Sequence, residues 1–334
     1  MKLYKFSGAG NDFVVLDGRG ADVSAYRQVE RISALCRQYH TDGLMILDTP
    51  VIPGATPVIP GLTSVIPGLT GDLLPDFSME FFNPDGTGGM MCGNGGRCIV
   101  AFADMLGLKP ASADGTWLFR APDGLHTATV IPSVSSVISG VSPVISGVSS
   151  VISSEVEKSL WTIRLKMIDV KGITPTMGGY FLNTGTRHFV KFVEDVEAVD
   201  MERDAKPLRW DKAFQPVGTN VNFVQVAPDG LHVRTFEKGV EGETLACGTG
   251  LTASAIAAYR HGIPGLAGDD GVAVAVEGDA SRHGRPGSAI SYRLQCRRGD
   301  WLSVEFLPGD GGCFTDVYLT GPAECVEIIN TDSI

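Results

Sequence analysis

Two cysteines in this chain each stand directly before a glycine-rich turn that leads into an apolar stretch. The first lies in MMCGNGGRC (90–98) and the second in LACGTGLTASAIAAY (245–259). The apolar stretches, from Arg97 to Leu106 and from Leu251 to Tyr259, lack internal proline and glycine, which is typical of buried helices. Strand-like segments such as NVNFVQVAP and VRTFEKG accompany them. The sequence therefore predicts an α/β fold of the α+β type, built from a duplicated unit.

Two low-complexity segments interrupt this pattern. Residues 50–71 hold three copies of a seven-residue unit such as PVIPGLT, and residues 129–156 hold four copies of a related unit such as PVISGVS. Proline and glycine inside the units argue against a coiled coil, and so few copies are short for a solenoid. We expect inserted surface loops, although the Val-Ile pairs leave weak strand pairing open.

Composition limits the classes of function. The formal net charge of -11 argues against nucleic acid as a partner, since binding of phosphates depends on clustered lysine and arginine. The seven cysteines lack the dense spacing of a secreted disulfide scaffold. The segment MKLYKFSGAGNDF has no apolar core of a signal peptide, and no apolar run is long enough to span a membrane. We expect a soluble cytoplasmic protein that binds neither nucleic acid nor membrane.

A cysteine at the start of a helix is placed for acid/base chemistry. The first helical turn presents unpaired backbone N–H groups and the positive end of the helix dipole, and glycines there let a carboxylate approach closely. We expect this position to lower the pKa of the thiol from about 8.5 toward neutrality. Two such thiols, Cys92 and Cys247, on opposite sides of one carbon would remove a proton from one face and return one to the other. That reaction inverts a stereocentre.

Other uses of these cysteines are less consistent with their spacing. A redox dithiol normally uses a Cys-x-x-Cys pair, which neither cysteine forms. Neither has a partner at zinc-ligand spacing, so we predict no metal site. For each cysteine taken alone, structural packing ahead of a helix remains an alternative.

Four segments of the chain resemble diaminopimelate epimerases. They are FSGAGNDFVVLDG (6–18), NPDGTGGMMCGNGGRC (83–98), GTNVNFVQV (218–226) and RTFEKGVEGETLACGTG (234–250). The proline racemase relatives share the two thiols but typically carry histidine where Asn94 stands and an Asp-Arg-Ser-Pro run before the second cysteine. The run before Cys247 is Glu-Thr-Leu-Ala, which favours the epimerase family.

The resemblance implies both a function and an architecture. Such an enzyme interconverts LL-2,6-diaminopimelate and meso-diaminopimelate, on the route to lysine and peptidoglycan, and needs no cofactor, neither pyridoxal phosphate nor metal. Two pseudo-symmetric domains, each a set of strands wrapped around a central helix, enclose the active site in the cleft between them. The resemblance also implies a homodimer.

The domain limits follow from the resemblance and the repeats together. We assign residues 1–128 to an N-terminal epimerase domain that contains the insert at 50–71. Residues 129–156 form the second insert, and residues 157–317 form the C-terminal epimerase domain. A strand at about 318–334 is expected to return to the first domain.

The resemblance also assigns roles to individual residues. Cys92 and Cys247 match the catalytic thiols, and His188 and Glu237 match residues that support them. Without the resemblance, His188 beside Phe189 is typical of a core histidine, and turn asparagines such as Asn11 are ordinary. The positions that match substrate-binding residues of the family are Asn11, Asn83, Gly93, Asn94, Thr186, Asn220, Glu237, Lys238, Gly248 and Thr249.

Three residues depart from the family pattern at the distal end of the substrate. Lys238 stands where many members have arginine, which keeps the charge but loses the bidentate fork. Thr186 stands where some have asparagine, and Gly43 where some have glutamine. Two other functions stay open: a racemase for a cyclic amino acid such as proline or hydroxyproline, and a non-catalytic relative whose repeats mediate assembly.

Overall fold

The computed structural model describes residues 1–50, 74–89, 92–132, 159–267, 272–273 and 289–330. Of the predicted surface loops at 50–71 and 129–156, residues 51–71 and 133–156 lie outside these ranges, as do Met90 and Met91. Among the described residues, no helix combines the length and the apolar character needed to cross a membrane.

The first half of the described chain is a closed ring of strands. Among its first seven strands, each of the first six pairs with the next, and the seventh and the first both pair with β18 (Phe314–Asn330). The seven are β1 (Lys2–Ser7), β2 (Asp12–Asp17), β3 (Gly43–Asp48), β4 (Phe77–Phe82), β5 (Thr116–Ala121), β6 (Gly124–Ile131) and β7 (Ser159–Lys166). Strand β6 thus includes the first three residues of the repeat segment 129–156.

Helix α2 (Gly93–Met105) runs inside this ring and contacts strands on several sides of it. Every residue from Gly93 to Ala103 is buried. A helix that is apolar on all sides is stable only when it is enclosed, which explains why strands surround it. Helix α1 (Val29–Tyr39) packs on the outside of β2 and β3.

The second half repeats the arrangement around helix α4 (Gly248–Arg260). Strands β9 to β12 and β16 to β18 contact this helix, and the short helix α3 (Lys206–Arg209) lies outside. The strands are β8 (Ile173–Thr176), β9 (Gly179–Asn183), β10 (Arg187–Phe192), β11 (Asn220–Ala227), β12 (Gly230–Glu237), β13 (Gly242–Thr244), β14 (Leu266–Ala267), β15 (Val272–Ala273), β16 (Ile290–Gln295) and β17 (Trp301–Pro308).

Strand β18 belongs to both halves. Residues between Phe314 and Thr320 pair with β17 of the second half, and residues from Gly321 onward pair with β7 and β1 of the first. The predicted fold class, an α+β arrangement of strands around a central helix in each half, is confirmed. Both predicted buried helices are present, and each begins directly after its cysteine.

Candidate active site

The N-termini of α2 and α4 meet at the junction of the two halves. A Cβ atom placed on Gly93 would lie 3.7 Å from the Cα atom of Gly248, so the first residues of the two helices are nearly in contact. A Cβ atom on Gly93 would also lie 3.2 Å from Cδ2 of Leu319, and a Cβ atom on Gly248 would lie 2.9 Å from the same Leu319 atom. A side chain at Gly248 would therefore force the Leu319 side chain to shift.

Cys92 and Cys247 are the N-cap residues of these helices, and both reach one cavity of about 200 Å³. Residues from both halves line it, so the cavity lies where the sequence places the site. The residues expected at the site that line the cavity are Asn11, Cys92, Gly93, Asn94, Thr186, Glu237, Cys247, Gly248 and Thr249. Three lining residues that sequence reasoning did not find are Asp123, Gly185 and Ala246.

The other expected site residues do not line this cavity. His188 and Asn220 are buried directly behind Thr186, and both contact its hydroxyl group. Asn83 lies in a turn, where its Nδ2 atom donates to Oγ1 of Thr87 at 3.0 Å. Lys238 contributes its backbone N–H, which donates to Oδ1 of Asn220 at 2.7 Å.

The environment of the thiols does not have the expected electrostatic effect. Burial raises the pKa of Cys92, against the lowering effect of the Gly95 N–H that donates to its sulfur at 3.2 Å. Burial also raises the pKa of Cys247, as does the Glu237 carboxylate, against a smaller lowering effect of the Thr249 hydroxyl. The prediction of thiol pKa values lowered toward neutrality is wrong, because desolvation outweighs the donors at the helix starts. Near neutral pH both thiols therefore carry their protons.

A buried cation lies beneath Cys92. The guanidinium of Arg97 has no exposed surface and donates to Oδ1 of Asn94 at 2.9 Å and to the carbonyl oxygens of Gly93 at 3.2 Å and Gly8 at 3.0 Å. Its positive charge lowers the pKa of the Cys92 thiol, opposing the effect of burial. Sequence reasoning missed Arg97, although an arginine inside an otherwise apolar helix was a visible signal.

Arg97 also fixes the residues that line the cavity. Because Oδ1 of Asn94 accepts from the guanidinium, its Nδ2 atom faces Asn11 and donates to Oδ1 of Asn11 at 2.5 Å. A further bond, from Nε of Arg97 to the carbonyl oxygen of Pro322 at 3.3 Å, ties the helix to β18. One side chain thus holds the first turn of α2, the β1–β2 turn and β18 together.

A network of polar side chains lies behind Cys247. His188 is fully buried, and burial lowers its pKa to about 3, so the ring is neutral. Its Nε2 atom lies 2.9 Å from Oγ1 of Thr186 and 3.0 Å from Oγ1 of Thr249. The Thr249 oxygen lies 3.5 Å from the sulfur of Cys247. The shortest hydrogen-bonded path from His188 to this sulfur therefore runs through the Thr249 hydroxyl group.

Glu237 is the acidic group that affects both thiols. Burial raises its own pKa, against a smaller lowering effect of the nearby Thr244 side chain. Its charge raises the pKa of both Cys92 and Cys247. Among the described residues, no group of three or more His, Cys, Asp or Glu side chains is placed to hold a metal ion.

The cavity thus offers two thiols and the N–H groups of two helix starts to one bound molecule. The N–H groups and the dipole ends favour an anionic group between the helices. A carbon attached to that group would share the cavity with both thiols.

Comparison with known sequences identifies relatives over nearly the whole chain. The sequence model of the family described as diaminopimelate epimerase matches residues 180–280. The diaminopimelate epimerase of Flavobacterium psychrophilum is 31% identical over 330 residues, which are 98% of this chain and 98% of that one. That of Aquifex aeolicus is 36% identical, covering 79% and 83%. That of Chlorobaculum tepidum is 32% identical, covering 96% and 97%.

Solved structures share the fold at low sequence identity. A phenazine biosynthesis protein of the PhzF family from Bacillus anthracis superimposes with a TM-score of 0.60 at 10% identity, covering 98% of each chain. A predicted epimerase from Pseudomonas aeruginosa gives 0.54 at 12% identity, covering 100% of this chain and 99% of that one. A probable proline racemase from Agrobacterium radiobacter gives 0.53 at 13% identity, covering 99% and 92%. Identities this low establish a common fold.

Proposed function

This chain belongs to the diaminopimelate epimerase family, and from that membership we infer an isomerase that interconverts LL- and meso-diaminopimelate in lysine biosynthesis. The observation that carries the proposed mechanism is the meeting of α2 and α4, with a cysteine at each helix start and one cavity between them. Cys92 and Cys247 are our candidates for the two acid/base groups.

The reacting end of the substrate binds between the helix starts. Its α-carboxylate accepts hydrogen bonds from the N–H groups around Gly93, Asn94, Gly248 and Thr249, which have no partner within their own helices. Removal of the α-proton moves negative charge onto this carboxylate, so the same donors stabilise the carbanionic state more than the ground state.

Proton transfer needs one thiolate and one thiol. The thiolate removes the proton from the α-carbon, and the opposite thiol then gives its own proton to the other face. After one turnover the two sulfurs have exchanged protonation states, and the reverse reaction begins from that state. The substrate brings a positive α-ammonium group, whose charge favours a thiolate and so offsets part of the desolvation of Cys92 and Cys247.

Polar residues around the cavity provide the contacts for the rest of the substrate. We assign Asn11, Thr186 and Glu237 to the substrate's amino and carboxylate groups, because their side chains line the cavity. Asn220 positions Thr186 through its Nδ2 atom at 3.1 Å. Lys238 and Asn83 stay in the proposal as binding residues on the strength of the family resemblance.

Two further parts of the proposal concern the state of the protein in the cell. We expect a homodimer in the cytoplasm, as the family resemblance implies. Exposed apolar side chains on neighbouring strands, Leu160 on β7 and Val326 and Ile328 on β18, support an interface there. Light scattering of the full chain tests this expectation.

The activity is tested by incubating the reduced protein with LL-diaminopimelate in deuterated water. We expect meso-diaminopimelate with deuterium at the inverted carbon, because the thiol that donates the second proton equilibrates with solvent. Chiral chromatography and mass spectrometry measure the two quantities in one sample. L-Proline serves as the matched substrate, and inversion of proline without inversion of diaminopimelate would contradict the assignment.

Replacing Glu237 by glutamine separates its effect on the thiols from its effect on the substrate. The carboxylate raises the pKa of both thiols, so its loss should move the onset of thiol alkylation to lower pH. If the carboxylate also binds a substrate ammonium group, KM should rise about tenfold. Alkylation is followed at Cys92 and Cys247 by peptide mass spectrometry over a pH series.

Glu327→Gln, an exposed carboxylate on β18, is the matched control for this experiment and should change neither quantity. An unchanged alkylation profile in the Glu237 variant would show that its charge does not act on the thiols.

A further inference from the structure

Asn222 is a fully buried polar residue of β11 to which the proposed reaction assigns no task. Its Nδ2 atom lies 3.2 Å from the carbonyl oxygen of Phe189 and 3.0 Å from Nδ1 of His188. Its Oδ1 atom accepts a hydrogen bond from the Thr235 hydroxyl at 2.9 Å. Asn222 thus contacts the imidazole on the side away from the cavity.

These contacts decide which way the amide of Asn222 faces. A backbone carbonyl oxygen only accepts hydrogen bonds, so the amide atom beside Phe189 must be the nitrogen. One of its two hydrogens is donated to that carbonyl, and the other points at Nδ1 of His188. Because Nδ1 accepts this hydrogen, the single proton of the neutral ring is on Nε2.

The Nε2–H group faces the hydroxyl oxygens of Thr186 and Thr249 at 2.9 and 3.0 Å, which lie closer to it than the Nδ2 atom of Asn220 at 3.3 Å. Asn220 also donates to Thr186, and its own orientation is fixed by the backbone N–H of Lys238. The oxygen of Thr249 therefore accepts a hydrogen bond, either from the ring or from Thr186. Its own hydrogen is left to point at the sulfur of Cys247, 3.5 Å away.

We propose that Asn222, held by Thr235, is a positioning residue that fixes His188 as the Nε2–H tautomer and thereby makes Thr249 a hydrogen-bond donor to the Cys247 thiolate. This inference rests on the proposed role of Cys247 as an acid/base group. The other tautomer would accept the hydroxyl hydrogen at Nε2 and leave the thiolate without this donor. The charged and titratable groups that also act on Cys247 are Glu237 and Cys92, and neither contacts Asn222 in the described structure.

The tautomer is measured directly on the ligand-free protein. In long-range proton–nitrogen spectra of histidine-labelled protein, we expect His188 to carry its proton on Nε2, with its signals assigned by their absence in His188→Gln. Asn222→Asp presents an acceptor to Nδ1, so it should move the proton to Nδ1 or add a second one. A wild-type ring with its proton on Nδ1 would overturn the proposal.

The connection to the thiol is measured by a double-mutant cycle. Asn222→Leu removes the amide without adding charge and should slow alkylation of Cys247 about tenfold at a fixed mildly alkaline pH. In a Thr249→Val background the same change should have no further effect, since the donor is already gone. In a Thr249→Ser background, which keeps a hydroxyl group, the tenfold effect should return.

Circular dichroism confirms that each variant is folded before its thiol is compared. Equal effects of Asn222→Leu in the valine and serine backgrounds would show that Asn222 does not act through Thr249. Neither measurement depends on turnover, so both still test the tautomer and its effect on Cys247 if the proposed epimerase activity is not found. Conversely, normal epimerisation with an Nδ1–H ring would contradict this inference alone.

Discussion

Replacing either Cys92 or Cys247 by alanine is expected to lower kcat for epimerisation by about a thousandfold or more. In the proposed mechanism each thiol serves as base in one direction and as acid in the other, so neither direction survives the loss of one sulfur. Loss of a thiol also adds no bulk to the cavity that the two helix starts form, so substrate binding should change much less than kcat. The measurement is formation of meso-diaminopimelate from the LL isomer, and the reverse.

The two single variants should differ in hydrogen exchange. Each keeps one thiol, which faces one side of the reacting carbon, so each should exchange the α-hydrogen of one stereoisomer with deuterated solvent without inverting it. The stereoisomer that exchanges should be opposite in the two variants. Cys313→Ser, a half-buried thiol that donates to the Lys171 carbonyl away from the cavity, is the matched control. Exchange of the same stereoisomer by both variants would contradict thiols on opposite faces.

Replacing Arg97 by methionine should have the largest effect on stability. The change removes the guanidinium donor from the buried carbonyl oxygens of Gly8, Gly93 and Pro322 and from the Oδ1 atom of Asn94. An unsatisfied buried acceptor costs about 1–3 kcal/mol. With partial relaxation, we expect the free energy of unfolding to fall by at least about 3 kcal/mol. Urea denaturation followed by circular dichroism measures this.

Two further variants make the result specific to the position of Arg97. Arg97→Lys keeps the charge but not the fork that reaches four acceptors, so its loss of stability should be intermediate. Arg37→Met, at an exposed position of α1, should change the free energy of unfolding by less than about 0.5 kcal/mol. In the fraction that folds, Arg97→Met should also alkylate more slowly at Cys92, because the thiolate has lost a cation that lowers its pKa. An Arg97→Met protein as stable as Arg37→Met would contradict the structural role.

The sequence was sufficient to predict the two buried helices, because a glycine turn and an apolar run are local signals. It also allowed both thiols to be placed in one site, since the duplicated pattern implies two equivalent helix starts. The pKa of those thiols was not predictable, because it depends on how completely the two halves exclude water from the cavity. Desolvation is a property of the closed tertiary structure, whereas the helix dipole is visible in the local sequence.

The polar network behind Cys247 was only partly predictable for a similar reason. Asn220 and Asn222 lie two residues apart on β11 and therefore face the same side of the sheet. The parallel pairing of β10 with β11 sets His188 opposite Asn220, which brings both asparagines to the imidazole. No spacing of residues in the sequence predicts that β10 and β11 pair. The alternation in NVNF indicates that Asn220 and Asn222 share a face of the strand. It does not indicate which residue of a neighbouring strand they contact.

Strand β18 also determines how the two halves can move. Its first part is hydrogen-bonded into one half and its second part into the other, and Leu319 lies between the starts of α2 and α4. Sliding the halves apart would break backbone pairing on both sides, whereas a twist about this strand would preserve most of it. We therefore expect the cavity to open by a rotation of the two halves about β18, with the hinge axis close to Leu319. The outer rims then separate widely while the spacing of the two sulfurs changes little.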